Sequence, residues 1–431
     1  MARIAFTILL VLIFESLSAQ PGDTLSEWTF RFMNTVVQQA HNELIVPYEG
    51  IKSLSNSAET QITVRNTWFI GKRIKKNTSI YVNPELAGGS GLSGVAGIAG
   101  FPNGEAFRVG SGAPKVYIAR AFIRHQIPLS EETEAFENGP NQLRERLAVR
   151  RITLTVGKFS LLDYFDGSQY ANDGRTQFMN WALMTGGAYD FASDTRGNSV
   201  GAVIEYFVPG RIMRFAVVSP SSTPNGPKFD FNFPSSKGIN FDVRQNVKLF
   251  DLAAVIGFTG FLNNTLGVKF NDIIHTAPDS VAKARTRYHS KYGFVLNIEQ
   301  EFKKWAWFMI GSWADGKTEN WGFTQIDHSV AGGLILFGRN WHRANDRLGI
   351  ACEMSELSDD QINFLARGGN GFIIGDGSLR YASEKAFEAY YSVRVHQHIF
   401  ITFDYQYIWN IAFNADRGNV GVWAIRSHID F

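Results

Sequence analysis

Cysteine is almost absent. Cys352 stands alone among 431 residues, so the chain can neither bridge itself nor assemble a thiolate metal site. A surplus of either charge is missing too: 42 Lys and Arg face 40 Asp and Glu, a formal net charge of +2. That balance argues against a nucleic-acid binder, which carries a basic surplus, and against a disordered chain, which carries a large net charge. Past the first residues, no apolar run reaches the ~18 residues that a membrane-spanning helix requires. A helical membrane protein is thereby excluded. What the chain does have is 45% hydrophobic and 14% aromatic residues, with 41 glycines. It has the material for a large folded body but no long apolar segment.

Residues 1–19 read as a secretory signal, with Arg3 as the positive n-region, Ile4 to Phe14 as the apolar core and Leu17-Ser18-Ala19 as the cleavage site. The mature domain is then 20–431. Its dominant pattern is alternation with period two. Ile62, Val64, Trp68 and Ile70 alternate with Gln61, Thr63, Arg65 and Thr67; Phe241, Val243, Val247 and Leu249 alternate with Asp242, Arg244, Asn246 and Lys248. Ile401, Phe403, Tyr405 and Tyr407 repeat the pattern against Thr402, Asp404 and Gln406.

A soluble β-sandwich would alternate in the same way. The spacing of the strands decides against it. From 28–38 to 421–431, about sixteen strands are expected (16–18), joined alternately by tight turns such as Pro209-Gly210, Phe250-Asp251 and Gln397-His398 and by long segments such as 87–115, 158–198, 263–290 and 356–387. Short turns on one side and long loops on the other mark a transmembrane antiparallel β-barrel of the bacterial outer membrane, all-β in class. Such a barrel pairs every backbone group between strands and needs only every second residue to be apolar. One long charged segment, 128–150, falls where a short turn is expected. Trp305, Trp307, Trp313, Tyr390 and Tyr391 are candidates for the interfacial aromatic girdles. The final strand ends on Phe431, with Trp423, Ile425 and Ile429 on the same face, which suits recognition by the outer-membrane insertion machinery.

Motifs for chemistry are weak. Gly311-Ser312-Trp313-Ala314-Asp315-Gly316-Lys317-Thr318 matches the phosphate-binding P-loop pattern, but it leaves a half-buried strand and enters no amphipathic helix. The nine histidines form no H-E-x-x-H motif, and Asp166-Gly167-Ser168 to Asp173-Gly174 lacks EF-hand spacing. Ser427 and His428 are adjacent, hence on opposite strand faces. No catalytic residue, metal or cofactor is nominated, and no enzyme is expected.

The stretch Tyr81-Val82-Asn83-Pro84-Glu85-Leu86-Ala87-Gly88-Gly89 and then Gly100-Phe101-Pro102-Asn103-Gly104-Glu105-Ala106 resembles the OprB-like family of carbohydrate-selective porins. Further matches are Gly157-Lys158-Phe159-Ser160 with Asp163 and Asp166, Arg175-Thr176-Gln177-Phe178-Met179-Asn180-Trp181-Ala182, Trp313 to Glu319, and Asp404-Tyr405-Gln406-Tyr407. The resemblance runs through nearly all of the mature chain and implies passive diffusion of monosaccharides. It also implies that Lys158 lies in the constriction, although strand phase places that residue toward lipid. The segment 158–198 is then the loop that folds inward and narrows the channel. Lumen or constriction residues are expected to be Arg65, Glu85, Arg120, Arg124, Asp242, Arg244 and Arg394 on the wall, with Lys158, Asp163, Asp166, Arg175 and Trp181 from the loop. Arginine forks and carboxylates suit the hydroxyls of a neutral sugar, and Trp181 its C–H face. The expected partners are small neutral sugars and outer-membrane lipid, with no nucleic acid and the oligomeric state left open. The alternative is an outer-membrane barrel that acts mainly in surface binding, with non-selective transport or none.

Overall fold

The computed structural model describes residues 26–106, 112–276 and 280–431; the signal segment 1–19 lies outside them. The chain forms β1 (Trp28–His41), β2 (Glu59–Lys75), β3 (Thr78–Gly89), β4 (Lys115–Pro128), β5 (Thr133–Phe136), β6 (Glu145–Ala148), β7 (Arg151–Phe159), β8 (Ser199–Val208) and β9 (Arg211–Ser219). It continues through β10 (Lys237–Leu249), β11 (Leu252–Gly267), β12 (Arg287–Glu301), β13 (Trp305–Ala314), β14 (His328–Phe337), β15 (Arg347–Glu356), β16 (Glu384–His396), β17 (Ile399–Trp409) and β18 (Asn419–Asp430). Sixteen of these close into one antiparallel barrel, in which consecutive strands pair except that β4 pairs with β7 across β5 and β6, and β1 pairs with β18. The seam runs in register from Met33↔Asp430 to His41↔Val422, so the barrel has no open edge to template aggregation.

Period-two alternation maps onto the two faces. In β18, Trp423 is 59% and Ile425 53% exposed on the outside, while Ala424 and Arg426 between them are buried. Several strands run past the expected limits, β2 to 17 residues, although ~9–11 tilted residues suffice to cross the bilayer. The extra length is polar, as in Lys72, Arg73 and Lys75, because both faces of those ends meet water and alternation carries no burial there. Trp305 and Trp313 lie on the outer face of β13, toward opposite ends of the strand. Tyr390 departs from the girdle expectation: it faces inward, is buried, and meets Phe178 edge-on at 5.0 Å.

Tight turns gather at one end. Gly210 takes φ +73° in the β8–β9 turn and Phe250-Asp251 take +52° and +62° in the β10–β11 turn, the positive values that two-residue hairpins favour. The segment 128–150, at the same end, is neither a tight turn nor a barrel strand. It forms a separate two-stranded hairpin, β5 with β6, in register Thr133↔Ala148 to Phe136↔Glu145.

The main apolar core is not between sheets. It lies inside the barrel, where the loop 160–198 folds against the wall: Phe178 meets Phe308 at 5.6 Å and Tyr189 meets Phe261 at 5.4 Å. Inward positions on that side of the barrel are accordingly apolar at Phe261, Phe308 and Ile310. Elsewhere the inward face mixes polar residues with apolar ones such as Phe69, Phe122 and Val218.

Phe258, halfway along β11, is 40% exposed on the outer face. Phe258→Arg should lower folding stability in lipid vesicles by about 2–4 kcal/mol, the depth-dependent cost of a charge on the lipid face, whereas Phe258→Leu should change it far less. Equal losses for the two variants in urea titrations would contradict the assignment of that face to lipid.

Candidate functional site

A barrel of this width leaves a loop inside it with many backbone groups to satisfy, and the wall supplies partners. Glu388 on β16 accepts from Met179 N at 2.6 Å and Asn180 N at 2.9 Å. Four residues along, Glu384 accepts from Ala99, Gly100 and Ala412 N at 3.1, 2.6 and 2.7 Å. Arg426 on β18 donates to the carbonyls of Gly174 and Gln177. Glu299 on β12 receives Ser168 Oγ and Gln169 N. Within the loop, Asn180 caps the short helix Trp181–Met184 by accepting from Ala182 N, and donates to the Gly100 carbonyl at 2.8 Å. The loop 160–198 and the segment around residue 100 are thus one packed unit tied to β12–β18.

Among the described residues, an open space lies against β2–β4. It is a cavity of about 480 Å³, within the range of small-molecule sites. Five arginines (Arg65, Arg120, Arg124, Arg175 and Arg196) and three carboxylates (Glu105, Asp163 and Asp173) line it. They form a lattice of alternating sign. Arg65 contacts Glu85 at 2.9 Å and Glu105 at 3.1 Å; Arg175 lies 3.4 Å from Glu105 and 3.8 Å from Glu85; Arg120 meets Asp163 at 2.5 Å. Glu85 sits behind this layer, fully buried, and also accepts from Thr67 Oγ1 at 2.8 Å and from the Tyr117 hydroxyl. Arg196 stacks over the Tyr117 ring at 3.6 Å. Trp181, Phe191 and Phe323 line the cavity as well, with Trp181 5.3 Å from Phe323 and stacked on Phe101 at 5.0 Å. One side is a guanidinium–carboxylate lattice; the other is aromatic.

Of the residues expected from sequence, Arg65, Arg120, Arg124, Asp163, Arg175 and Trp181 line this cavity and Glu85 supports it. The others lie elsewhere. Asp166 is buried under the loop and accepts from Gly186 N at 2.6 Å and Asn297 Nδ2 at 3.0 Å. Asp242 pairs with Arg214 and accepts from Thr259, while the Arg244 guanidinium lies beside Gly167 on the far side of the loop. Arg394 is at the turn end, donating to the Gln397 carbonyl at 2.7 Å. Lys158 is a correction to the expected constriction. It keeps the outward phase of Ile152, Leu154 and Val156, and its ammonium bonds the Ile118 carbonyl at 3.0 Å and lies 3.6 Å from Asp194, away from the cavity. Period two overrides a motif match here, because each strand residue's face is fixed by its neighbours. Glu105, Tyr117 and Arg196 were not nominated from sequence. Glu105 stands in a loop with no strand phase to read; Tyr117 is out of step with Arg120 and Arg124, and a bulge opposite Asn83 and Pro84 turns it inward, which period two alone does not show.

Comparisons with known proteins agree with this architecture. The family model for carbohydrate-selective porins, OprB family, matches residues 52–431. The chain belongs to the OprB family of carbohydrate-selective porins. No curated protein sequence matches it. Among solved structures, the high-pH form of Pseudomonas putida OprB aligns with a TM-score of 0.69 at 14% identity, covering 94% of both chains. The low-pH form of the same protein gives 0.50 at 9% identity over 94% of this chain and 93% of that one. The outer-membrane channel DcaP of Acinetobacter baumannii gives 0.52 at 8% identity over 96% of this chain and 99% of that one. These likenesses establish the fold. As an OprB-family porin, the protein is an outer-membrane barrel whose long loops face outward from the cell and whose tight turns face the periplasm.

Two outcomes follow for this porin. Glu388→Ala leaves the Met179 and Asn180 amides without their acceptor, at about 1–3 kcal/mol for each buried group. Hydrogen exchange across 178–184 should accelerate, and Glu388→Gln should fall between it and the parent; unchanged protection would contradict the anchoring role. The second outcome concerns pH. Burial raises the Asp166 carboxyl from its ordinary 3.8 to about 7, against hydrogen bonds from Asn297 and Gly186 that favour ionisation. Between those two values the folded state holds a proton that the unfolded chain releases, so this group's stabilisation is full at acid pH and is lost as pH rises through about 7. Asp166→Asn should therefore flatten part of the fall in thermal stability across that window, and an unchanged slope would contradict the buried, proton-holding carboxyl.

Proposed function

We propose that the cavity between the inward loop and the β2–β4 wall is the route by which this porin passes small neutral sugars, passively and with weak binding. The observation that carries the reading is the pairing of an arginine–carboxylate lattice with an aromatic face across one narrow space. An arginine fork has five N–H donors. An ion pair such as Arg120 with Asp163, made through Nε and one Nη, uses two of them and leaves the rest for sugar hydroxyls. Carboxylate oxygens accept from the same hydroxyls. The apolar C–H face of the ring meets Trp181 and its neighbours, as aromatic surfaces in sugar sites do.

Charge pairing matters for transit as well as contact. Each guanidinium on the route has an anion or an aromatic ring beside it, so an uncharged solute finds donors and acceptors without a field of one sign. Weak, multiple contacts allow entry and departure. No reacting group is assigned, in keeping with a family and fold of channels. The strand β18 with Phe431 after it is the segment proposed to engage the insertion machinery, and the segment 1–19 is proposed as the export signal.

Liposome swelling with the purified barrel tests the route. Monosaccharides should enter faster than anionic solutes of similar size. Glu105→Gln removes the negative charge between Arg65 and Arg175, so anion entry should rise relative to neutral sugar. Equal entry of neutral and anionic solutes in both proteins would contradict a selective lattice.

A further inference from the structure

The hairpin formed by β5 and β6 stands at the end where the other connections are two or three residues long, save the nine residues 338–346 between β14 and β15, and its tip reaches the same cavity. At that tip, Gly139 and Gln142 exchange backbone hydrogen bonds at 3.0 and 3.1 Å, and Asn141 takes φ +54° after Pro140, the chemistry of a type II turn. The sequence Asn138-Gly139-Pro140-Asn141 carries this turn signal in full. Pro140, Asn141 and Gln142 line the cavity together with Arg120 and Arg124.

The tip is held from three directions. Arg124 donates through one Nη to the Asn141 carbonyl at 2.8 Å and through the other to the Tyr164 hydroxyl at 3.2 Å. A single guanidinium thus ties the hairpin tip to the inward loop. Asn83 Nδ2 on β3 donates to Asn141 Oδ1 at 2.9 Å. Below the tip, Leu143 is fully buried, Arg73 meets Glu145 at 2.9 Å and Arg151 meets Glu134 at 2.8 Å. Asn83 stands opposite Arg120 across the β3–β4 pair, and Arg124 lies four positions nearer the periplasmic turn, so the wall grips the tip from the level of Arg120 down to that of Arg124. These contacts describe a fixed shelf and not a swinging flap.

We propose that the Pro140–Gln142 tip is a second, periplasm-facing constriction of the pathway, and that it sets the size limit of what leaves the barrel. The proposal rests on the reading of the cavity as the route. Solute that has passed the Arg65–Glu105–Arg175 level must go by the tip beneath Arg124. The groups presented there by the hairpin are a proline ring and two neutral carboxamides, so this inner constriction sorts by girth and hydrogen bonding while the outer lattice carries the charge. Selectivity is thereby divided between two levels built from separate parts of the chain.

The test uses the whole barrel in planar bilayers, with Gln142→Cys in a Cys352→Ser background and thiol-specific methanethiosulfonate reagents of graded bulk. Channels are recorded in potassium chloride before and after modification, so a variant that fails to fold is recognised by having no initial conductance; Pro140→Cys then serves in its place. Each larger adduct should produce a larger loss of conductance, reversed by reductant, and should exclude polyethylene glycols that the unmodified channel admits. Glu131→Cys, on the exposed part of the hairpin, should show no loss. Complete labelling at Gln142→Cys, verified by mass, with conductance and polymer cut-off unchanged would overturn the proposal. Salt current and polymer size do not depend on sugar recognition, so failure of the sugar reading alone would leave this result intact and visible.

Discussion

Two demands on backbone pairing shape this protein: hydrocarbon offers no partner to a strand, and a loop packed inside the barrel is cut off from bulk water. The first demand closes sixteen strands on themselves, with β1 against β18 leaving no edge. The second is met by wall side chains. Glu384 and Glu388 take five backbone amides between them, and Arg426 takes two carbonyls. Without Glu388 and Arg426, four backbone groups of the loop 160–198 would lose the partners that supplement its apolar packing against the wall. With them it packs against the β12–β18 side, and the cavity lies against β2–β4.

That position decides the chemistry of the passage. The wall of β2–β4 contributes arginines and Glu85, the segment near residue 100 contributes Glu105, and the inward loop contributes Arg175, Asp163 and Trp181. Three stretches distant in sequence therefore meet across a few ångströms. Buried or half-buried ion pairs are weak contributors to stability when desolvation is counted; at this site they hold donors and acceptors in fixed directions while cancelling one another's fields. A neutral, hydroxyl-rich solute suits such a surface better than an ion of either sign.

The fold was legible in the sequence to a large degree because period two is a local signal and the barrel uses it in every strand. Strand ends were read short, since alternation fades where both faces are wet, as at Lys72 to Lys75. Inward phase located Arg65, Arg120 and Arg124, but phase says nothing of where around the barrel a residue stands. Asp242, Arg244 and Arg394 share the inward phase and lie away from the cavity. Loop residues have no phase at all, which is why Glu105 and Arg196 were not foreseen and why Asp166 was expected in the constriction when it is a buried brace. The hairpin was not foreseen in 128–150, which showed only as a long charged segment where a short turn was expected; its approach to the cavity depends on Arg124 and Tyr164, contacts that only the closed barrel creates.

The central claim is that an open passage lined by the Arg65–Glu105–Arg175 lattice and Trp181 binds sugar weakly as the sugar crosses. Single-channel recording in planar bilayers with added monosaccharide addresses it most directly. A steady open current in salt that neutral monosaccharide interrupts in a concentration-dependent way, with the interruptions weakened by Trp181→Ala, is the predicted result. A barrel with no stable conductance, or a current indifferent to every monosaccharide tried, would contradict it.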